Sequence, residues 1–413
     1  MTIAKLKSHY SPISIKKYMV TALCFTIVMC FMPKTLFAKT DTSPVIIPIE
    51  IPVQPDTHKP FILHNGTKLE TTLVPELQQH IKRWIKQRSS PIAAVVMAEV
   101  KTGKILLLAQ GMHPTNWNVK QHTALHPGFP SASLFKTVVT AAAIETAQLD
   151  PKEPIGLIGG CGKVHARGGW LRQEVPKSKF PMNLSRAYGH SCNGFFAKIA
   201  INQVGLGAIL SMAERFGWNG KPTPADFLVP PSPMKPPNPY TSSTHTVGKF
   251  AAGFGYVGIS AMHATWQMLA IANNGQSKPL QLIKNQSQVP QEGGNIISPE
   301  TADTLRSTMD ATTLGGTASF AFKRGKYRKL RYKVGGKTGT LTGYSPSGLT
   351  TWFSGIMPLD NPEVVVAAVV VIEDLWKFKS PQLAAEALMM YDQLKRRQKR
   401  TAKTTSQKKK AQR

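Results

Sequence analysis

The sequence has few charged residues, few cysteines and almost no long apolar runs. Charged residues make up 18% of the 413 residues and hydrophobic residues 42%. A chain with this much apolar content and this little charge is not disordered throughout. Only one uncharged stretch, Tyr18 to Met32, is long, and its roughly 15 residues fall short of the ~20 that a spanning helix needs. A multi-span membrane protein is therefore excluded, and the length allows one large domain or two.

This uncharged stretch lies where an export signal would lie. It follows a start that carries lysines and no acid, and it leads into Leu36-Phe37-Ala38, which fits a signal peptidase site. We predict that residues 1–38 are a signal peptide cleaved after Ala38, with an uncleaved signal anchor as the alternative. Both place the rest of the chain outside the cytoplasm, in the periplasm or at the outer face of the inner membrane.

Acidic residues are scarce, and the resulting charge is unevenly distributed. The chain has 51 Lys and Arg against 22 Asp and Glu, a net charge of +29. Residues 395–413 carry ten Lys or Arg and no acid. Such a run is typical of a solvated, disordered arm, and it could also bind an anionic envelope surface. Nucleic acid is not an expected partner, because the chain is exported and has no aromatic-studded basic face.

Only two of the four cysteines lie outside the export signal. Cys24 and Cys30 belong to the uncharged stretch, which leaves Cys161 and Cys192. In an oxidising compartment two remaining cysteines commonly pair, so a Cys161–Cys192 disulfide is one prediction. The alternative is a zinc site that adds His165 and His190, although His-x-Cys is tighter than usual zinc spacings.

The order of apolar patterns predicts strands at both ends of a domain and helices between them. Five prolines between residues 39 and 60 predict a linker over residues 39–70, followed by a domain over residues 71–394. We predict helices around residues 77–85, 133–148 (with Ser131 as N-cap), 195–216, 261–272 and 382–395, strands at 92–99, 104–109, 332–340, 350–357 and 363–372, and a loop at 221–240. This pattern indicates an α+β fold with one mixed sheet and a helical insert.

Three short motifs in order carry the chemistry: Ser133-Leu134-Phe135-Lys136, Ser191-Cys192-Asn193 and Lys337-Thr338-Gly339. On a helix the i, i+3 spacing puts Ser133 and Lys136 on one face, where the amine can reach the hydroxyl. A lysine acts as base only when its pKa falls, and burial or a nearby cation such as Lys337 lowers it. The motifs therefore predict a serine nucleophile with a lysine base.

The remaining motif residues suit substrate binding. Ser191 can relay a proton between the lysines and an amine, and Asn193 can hydrogen-bond a substrate amide. Glycines around Lys337, including Gly339, allow a substrate to lie close to an edge strand. The copy of Lys-Thr-Gly at Lys101 lacks the preceding glycines and is predicted to be a hairpin turn.

These motifs and their surroundings resemble the active-site serine penicillin-recognising enzymes, most closely the transpeptidase domain of class B penicillin-binding proteins. Further similar segments are Gly253 to Ser260, Gly316-Thr317-Ala318 and Trp352 to Gly355. The resemblance covers about residues 70–395. It implies a five-stranded antiparallel sheet flanked by helices, with an all-helical lobe, and it implies no cofactor and no metal.

The resemblance also implies a role for each motif residue. Ser133 would be acylated by a D-alanyl-D-alanine stem peptide of peptidoglycan, or by a β-lactam, with Lys136 as base. Ser191 would relay protons, and Asn193 would bind the peptide amide. Lys337, Thr338 and Thr340 would hold the terminal carboxylate, while the N–H groups of Ser133 and Thr340 would form the oxyanion hole.

Several functions share these motifs. A D,D-transpeptidase and a D,D-carboxypeptidase, which uses water instead of an amine acceptor, fit equally well. A β-lactamase is less favoured, because no Glu-x-x-Leu-Asn follows the second motif and Asn193 stands where class D enzymes have an apolar residue. A non-enzymatic β-lactam or muropeptide sensor, or a scaffold, is the remaining alternative.

Overall fold

The structure is a computed structural model that carries side chains. The residues it describes are 61–64, 67–88, 92–111, 122–158, 160–165, 171, 181–220, 223–285, 294–344, 346–372 and 378–411. The predicted signal, residues 1–38, and most of the predicted linker lie outside the described residues.

A five-stranded sheet lies at the centre of the domain. Its strands are β3 (Ala93–Glu99), β4 (Ile105–Gln110), β7 (Gly335–Tyr344), β8 (Ser347–Met357) and β9 (Val364–Ile372). Their order is β4-β3-β9-β8-β7, and every neighbouring pair is antiparallel. The expectation of a mixed sheet is wrong, because consecutive strands are joined by short connections that pair them antiparallel and β9 also runs antiparallel to β3. The expectation of an antiparallel sheet is confirmed. Strand β7 is an edge strand.

Both faces of this sheet are buried. Along β3, Ala94 and Val96 pack on one side, while Val95 and Met97 pack on the other. The terminal helices α1 (Pro75–Gln87) and α10 (Ser380–Ala411) cover the second side. Covering both faces explains why β9 is a continuous run of Val, Ala and Ile with no polar residue, since neither face meets water.

The helical insert lies between the two groups of strands. Its elements are α2 (Lys136–Ala147), α3 (Leu184–Gly189), α4 (Asn193–Ile199), α5 (Leu206–Arg215) and α6 (Thr244–Ala251), followed by α7 (Ala261–Ala272), α8 (Pro299–Leu314) and α9 (Ser319–Phe322). The short pairs β1 (Phe61–His64) with β2 (Thr67–Glu70), and β5 (Phe129–Pro130) with β6 (Gly258–Ile259), complete the described elements. A single helix over 195–216 was wrong: the chain passes from α4 through a π-helical turn to Gly205, whose φ of 78° ends the helix.

Two segments differ from their expected structure. Residues 61–64 and 67–70 pair as a hairpin within the predicted linker, because both runs can pair along their backbones with only two residues between them. The basic tail, expected to be disordered, continues α10 as far as Ala411. Lys, Arg, Gln and Ala are good helix formers, and no Gly or Pro interrupts them.

No single helix in the described part of the chain is long and apolar enough to cross a membrane. One bent pair, residues 193–204 with 206–215, meets the length and composition criteria together.

Candidate active site

The nucleophile candidate lies on a tight turn that opens helix α2. Ser133 belongs to a 3-10 turn, Ala132–Phe135, which continues directly into α2, and Ala132 has a positive φ of 49°. Ser131 was predicted as an N-cap, but its side chain caps nothing, because its own backbone is already helical. A Cβ on Gly253 would lie 2.0 Å from the Ala132 carbonyl oxygen, so only glycine allows this close approach beside Ser133.

Lys136 is fully buried and makes three polar contacts. Its Nζ lies 2.6 Å from Ser133 Oγ, 2.7 Å from Asn193 Oδ1 and 2.7 Å from the Ala252 carbonyl oxygen. A neutral amine has two N–H groups and one lone pair. The two carbonyl oxygens can only accept, so they can take both N–H groups. The lone pair then faces the Ser133 hydroxyl, which is the arrangement of a base and its nucleophile.

The surroundings of Lys136 favour this neutral form. Burial lowers its pKa well below the ordinary value, and the positive charge of Lys337 lowers it further. Both causes penalise an ammonium, and no described carboxylate is paired with Lys136. The structure therefore supplies the condition that the sequence required of a lysine base.

Lys337 is the second buried lysine of the site. It projects from β7, and burial lowers its pKa to about 7. Its Nζ lies 3.0 Å from the Thr338 carbonyl oxygen and 5.4 Å from the ring centroid of Tyr188. The face of the ring attracts an ammonium group through a cation–π interaction without adding a negative charge. Near neutral pH this amine can thus exist in either form.

The second motif is held by a disulfide. Cys161 and Cys192 are bonded, with their Cα atoms 4.4 Å apart, so the disulfide prediction is confirmed. The zinc alternative is wrong, because the two sulfurs are bonded to each other, and the described residues contain no cluster of three or more His, Cys, Asp or Glu that could hold a metal ion. Asn193 donates its backbone N–H to Cys161 and its side-chain amide to Gly162. The disulfide thus lies within the loop that orients Asn193 toward Lys136.

Ser191 is placed differently from Asn193. It sits on a turn with φ 55° and is half-buried, and among the described residues its hydroxyl makes no hydrogen bond. The amine of Lys136 is therefore hydrogen-bonded to Asn193 and not to Ser191. The relay role assigned to Ser191 remains a prediction.

The third motif presents its residues along the exposed edge of β7. Lys337 and Gly339 are buried, while Thr340 is exposed. A Cβ on Gly339 would lie 3.1 Å from the Ser131 carbonyl oxygen and 3.2 Å from Trp352, so a side chain would push the strand away from the nucleophile turn. The glycine therefore keeps β7 close to Ser133.

Thr317 connects the second and third motifs. Its hydroxyl forms a hydrogen bond with the Thr338 hydroxyl, and its N–H donates to the Gly189 carbonyl oxygen at 3.0 Å. Gly189 ends α3, two residues before Ser191. Thr317 thus orients Thr338, one of the groups expected to bind the substrate carboxylate.

Three groups that contact the site residues were not predicted from the sequence. These are the Ala252 carbonyl, the Tyr188 ring and the Thr317 hydroxyl. The segment Gly316-Thr317-Ala318 was noticed as a similarity, but its sequence gives no sign that it meets Thr338. Tyr188 carried a weak signal, since it lies one helical turn before Ser191, and Ala252 carried none because it acts through its backbone.

Comparison with known proteins identifies the family. The penicillin-binding protein transpeptidase domain model matches residues 93–390, so the chain belongs to that family. It is 24% identical over 336 residues to penicillin-binding protein PbpB of Mycolicibacterium smegmatis, covering 73% of this chain and 50% of that protein. It is 26% identical over 348 residues to peptidoglycan D,D-transpeptidase PbpA of Mycobacterium tuberculosis, covering 74% of this chain and 67% of that protein. The resemblance to class B members is confirmed.

A solved structure shows the same fold. The crystal structure of penicillin-binding protein 3 from Mycobacterium tuberculosis, complexed with aztreonam, superimposes with a TM-score of 0.63 at 20% identity, covering 79% of this chain and 80% of that one. The aligned part of the chain spans half the length of PbpB and about two thirds of PbpA.

Proposed function

We propose that this protein is a serine D,D-transpeptidase that acts on peptidoglycan stem peptides ending in D-alanyl-D-alanine and is acylated by β-lactams. The observation that carries the proposal is the buried Lys136 amine, whose Nζ lies 2.6 Å from Ser133 Oγ and 2.7 Å from each of two carbonyl oxygens. The relative PbpA is named a peptidoglycan D,D-transpeptidase, and one similar structure holds aztreonam, which supports the same chemistry here.

The acylation step follows from this geometry. Lys136 Nζ accepts the Ser133 hydroxyl proton while Oγ attacks the carbonyl carbon of the penultimate D-alanine. The C–N bond to the terminal D-alanine breaks, and the proton passes to its nitrogen, which leaves as an amine. The N–H groups of Ser133 and Thr340 are proposed to stabilise the oxyanion. An acceptor amine then attacks the ester carbonyl carbon and loses a proton to Lys136. The C–O bond to Ser133 breaks, and Lys136 passes this proton to Ser133 Oγ, which restores the free serine and the neutral amine.

The intact mass of the protein, followed over time with benzylpenicillin, tests the proposal. We expect one adduct that persists for many minutes and that disappears in Ser133→Ala. Ser307→Ala, which changes an exposed serine on α8, is the matched control and should keep the adduct. Labelling of Ser133→Ala would refute the assignment of the nucleophile. An adduct lost within minutes while hydrolysed drug accumulates would indicate a β-lactamase instead.

A stem-peptide assay separates the two peptidase activities. With a D-alanyl-D-alanine peptide and an amine acceptor, a transpeptidase forms the cross-linked product. A carboxypeptidase releases D-alanine without consuming the acceptor. If D-alanine is released and no cross-linked product forms, the protein is a carboxypeptidase and the proposed transpeptidase activity is wrong.

We also propose that the protein is exported and acts in the periplasm or at the outer face of the inner membrane. The lysine-bearing start, the uncharged stretch and Leu36-Phe37-Ala38 support export, and the Cys161–Cys192 disulfide suits an oxidising compartment. N-terminal sequencing of the protein from fractionated cells tests this. A mature chain that begins at Lys39 supports cleavage, and a cytoplasmic full-length chain contradicts export.

The basic end of α10 is proposed to bind an anionic envelope surface. From Arg396 to Gln407 the described side chains are exposed, and the run contains no acid. A charge near anionic lipid contributes about 1 kcal/mol, and salt screens it. Removing residues 395–413 should weaken salt-sensitive co-sedimentation with anionic vesicles and leave acylation unchanged. Equal sedimentation of both forms would refute the proposal.

A further inference from the structure

A cavity of about 910 Å³ opens beside the candidate active site. One wall is the C-terminal half of β7, Leu341 to Gly343. The opposite walls are helix α6 with the turn that follows it, including Phe254 and Tyr256, and the segment around Lys235. None of the motif residues lines this cavity.

The cavity continues the substrate cleft. Its β7 wall begins at Leu341, the residue after Thr340. Its wall from Phe254 to Gly258 follows Gly253, where an added Cβ would lie 2.0 Å from the Ala132 carbonyl oxygen beside the nucleophile. Its α6 wall packs on α4, where Gly248 approaches Ala197. A ligand held at Ser133 that runs along β7 past Thr340 therefore reaches this space.

The direction of the sheet decides which part of a substrate enters. A peptide that adds to the edge of an antiparallel sheet runs antiparallel to its neighbour. If its C-terminal carboxylate lies at Lys337 and Thr338, its preceding residues lie toward the C-terminal end of β7. The residue before D-alanyl-D-alanine then meets the wall from Leu341 to Gly343.

The polar lining of the cavity is positive. Lys235 and Lys249 are exposed at its walls, with His245 nearby, and no Asp or Glu lines it. Lys235 Nζ lies 5.3 Å from the ring centroid of Tyr256, and Lys249 Nζ lies 5.8 Å from that of Phe254. Neither lysine is paired with a carboxylate among the described residues. The aromatic rings hold both ammonium groups at the cavity without neutralising them.

We propose that this cavity selects donors whose residue before D-alanyl-D-alanine carries a side chain ending in a carboxylate, over donors whose side chain carries only an ammonium. This rests on the proposed function, because the donor must first be held at Ser133. Lys235 and Lys249 attract the carboxylate, and Phe254 and Tyr256 contact the aliphatic part of the side chain.

Penicillins that differ at one substituent test this selectivity. The acylamino side chain of a penicillin corresponds to the peptide segment before D-alanyl-D-alanine. Carbenicillin, ampicillin and benzylpenicillin share a phenylacetyl group whose α-carbon carries a carboxylate, an ammonium or neither. We expect the full-length protein to be acylated faster by carbenicillin than by ampicillin. In Lys235→Gln/Lys249→Gln the ratio of the two rate constants should fall by about five- to tenfold.

Controls separate this cavity from the general positive charge of the protein. Lys235→Arg/Lys249→Arg should retain the ratio, and Lys101→Gln, on the β3–β4 turn, should not change it. High salt should lower the ratio of the wild type. An equal ratio in wild type and double Gln variant overturns the inference while the proposed function stands. The absence of any adduct, with benzylpenicillin too, overturns both.

Discussion

Replacing Lys136 by methionine tests whether this buried lysine is neutral in the folded protein. Methionine has a similar length and no titratable group. If Lys136 is the base, acylation by benzylpenicillin should slow by about 10²- to 10⁴-fold. The variant also leaves Asn193 Oδ1 and the Ala252 carbonyl without their N–H donor. Each unsatisfied buried acceptor costs about 1–3 kcal/mol, so the variant should be less stable.

The slope of the free energy of unfolding against pH gives a second test of whether Lys136 is neutral. Burial lowers the pKa of Lys136 in the folded protein, whereas the unfolded lysine titrates near 10.4. Between these two values the unfolded state binds one proton more than the folded state. The free energy of unfolding therefore rises with pH, by about 1.4 kcal/mol per unit. Lys337, with a pKa of about 7, adds a similar slope from about pH 7 upward.

Denaturant unfolding at several pH values between 7.5 and 9.5 measures these slopes. Lys136→Met and Lys337→Met should each reduce the slope of the wild type by about 1.4 kcal/mol per pH unit. The comparison with the wild type removes the contributions of all other groups. An unchanged slope in Lys136→Met would mean that the folded protein carries a charged lysine. Unchanged acylation would mean that another group is the base.

Three further predictions concern the groups that position the site. Thr317→Val removes the hydroxyl that bonds Thr338, so weaker carboxylate binding should slow acylation by benzylpenicillin, while Thr317→Ser should retain the wild-type rate. An equal loss of reactivity toward the methyl ester of benzylpenicillin, which has no carboxylate, would indicate a general structural effect. Cys161→Ser/Cys192→Ser opens a loop of 31 residues and should lower stability by about 3–4 kcal/mol, as measured by thermal melts of wild type and variant with and without reductant. The variant should also be acylated more slowly by benzylpenicillin. An unaltered acylation rate would show that Asn193 is positioned without the disulfide. Gly253→Ala should lower both the Tm and the acylation rate more than Gly205→Ala. Both glycines have a positive φ, but of the two only Gly253 lacks space for a Cβ. Equal losses in the two variants would refute the close approach of Gly253 to the Ala132 carbonyl oxygen.

The sequence by itself predicted the three motifs and most of the helices and strands. Helix α1 and strands β3, β4, β8 and β9 were predicted within a residue or a few of their observed ends, because their apolar periodicities are strong and local. The i, i+3 spacing of Ser133 and Lys136 already brought base and nucleophile together. These features depend on residues that are close in the chain.

Tertiary structure decided everything that depends on distant segments meeting. Asn193, Ala252 and Ser133 converge on one amine although they lie far apart in sequence, and burial of that amine lowers its pKa. Thr317 reaches Thr338 only because α8 and β7 pack together. The sheet direction, which sets the path of a substrate, and the cationic cavity beyond Thr340 likewise follow from long-range packing. No local pattern encodes such contacts, since their free energy depends on what the fold removes from water.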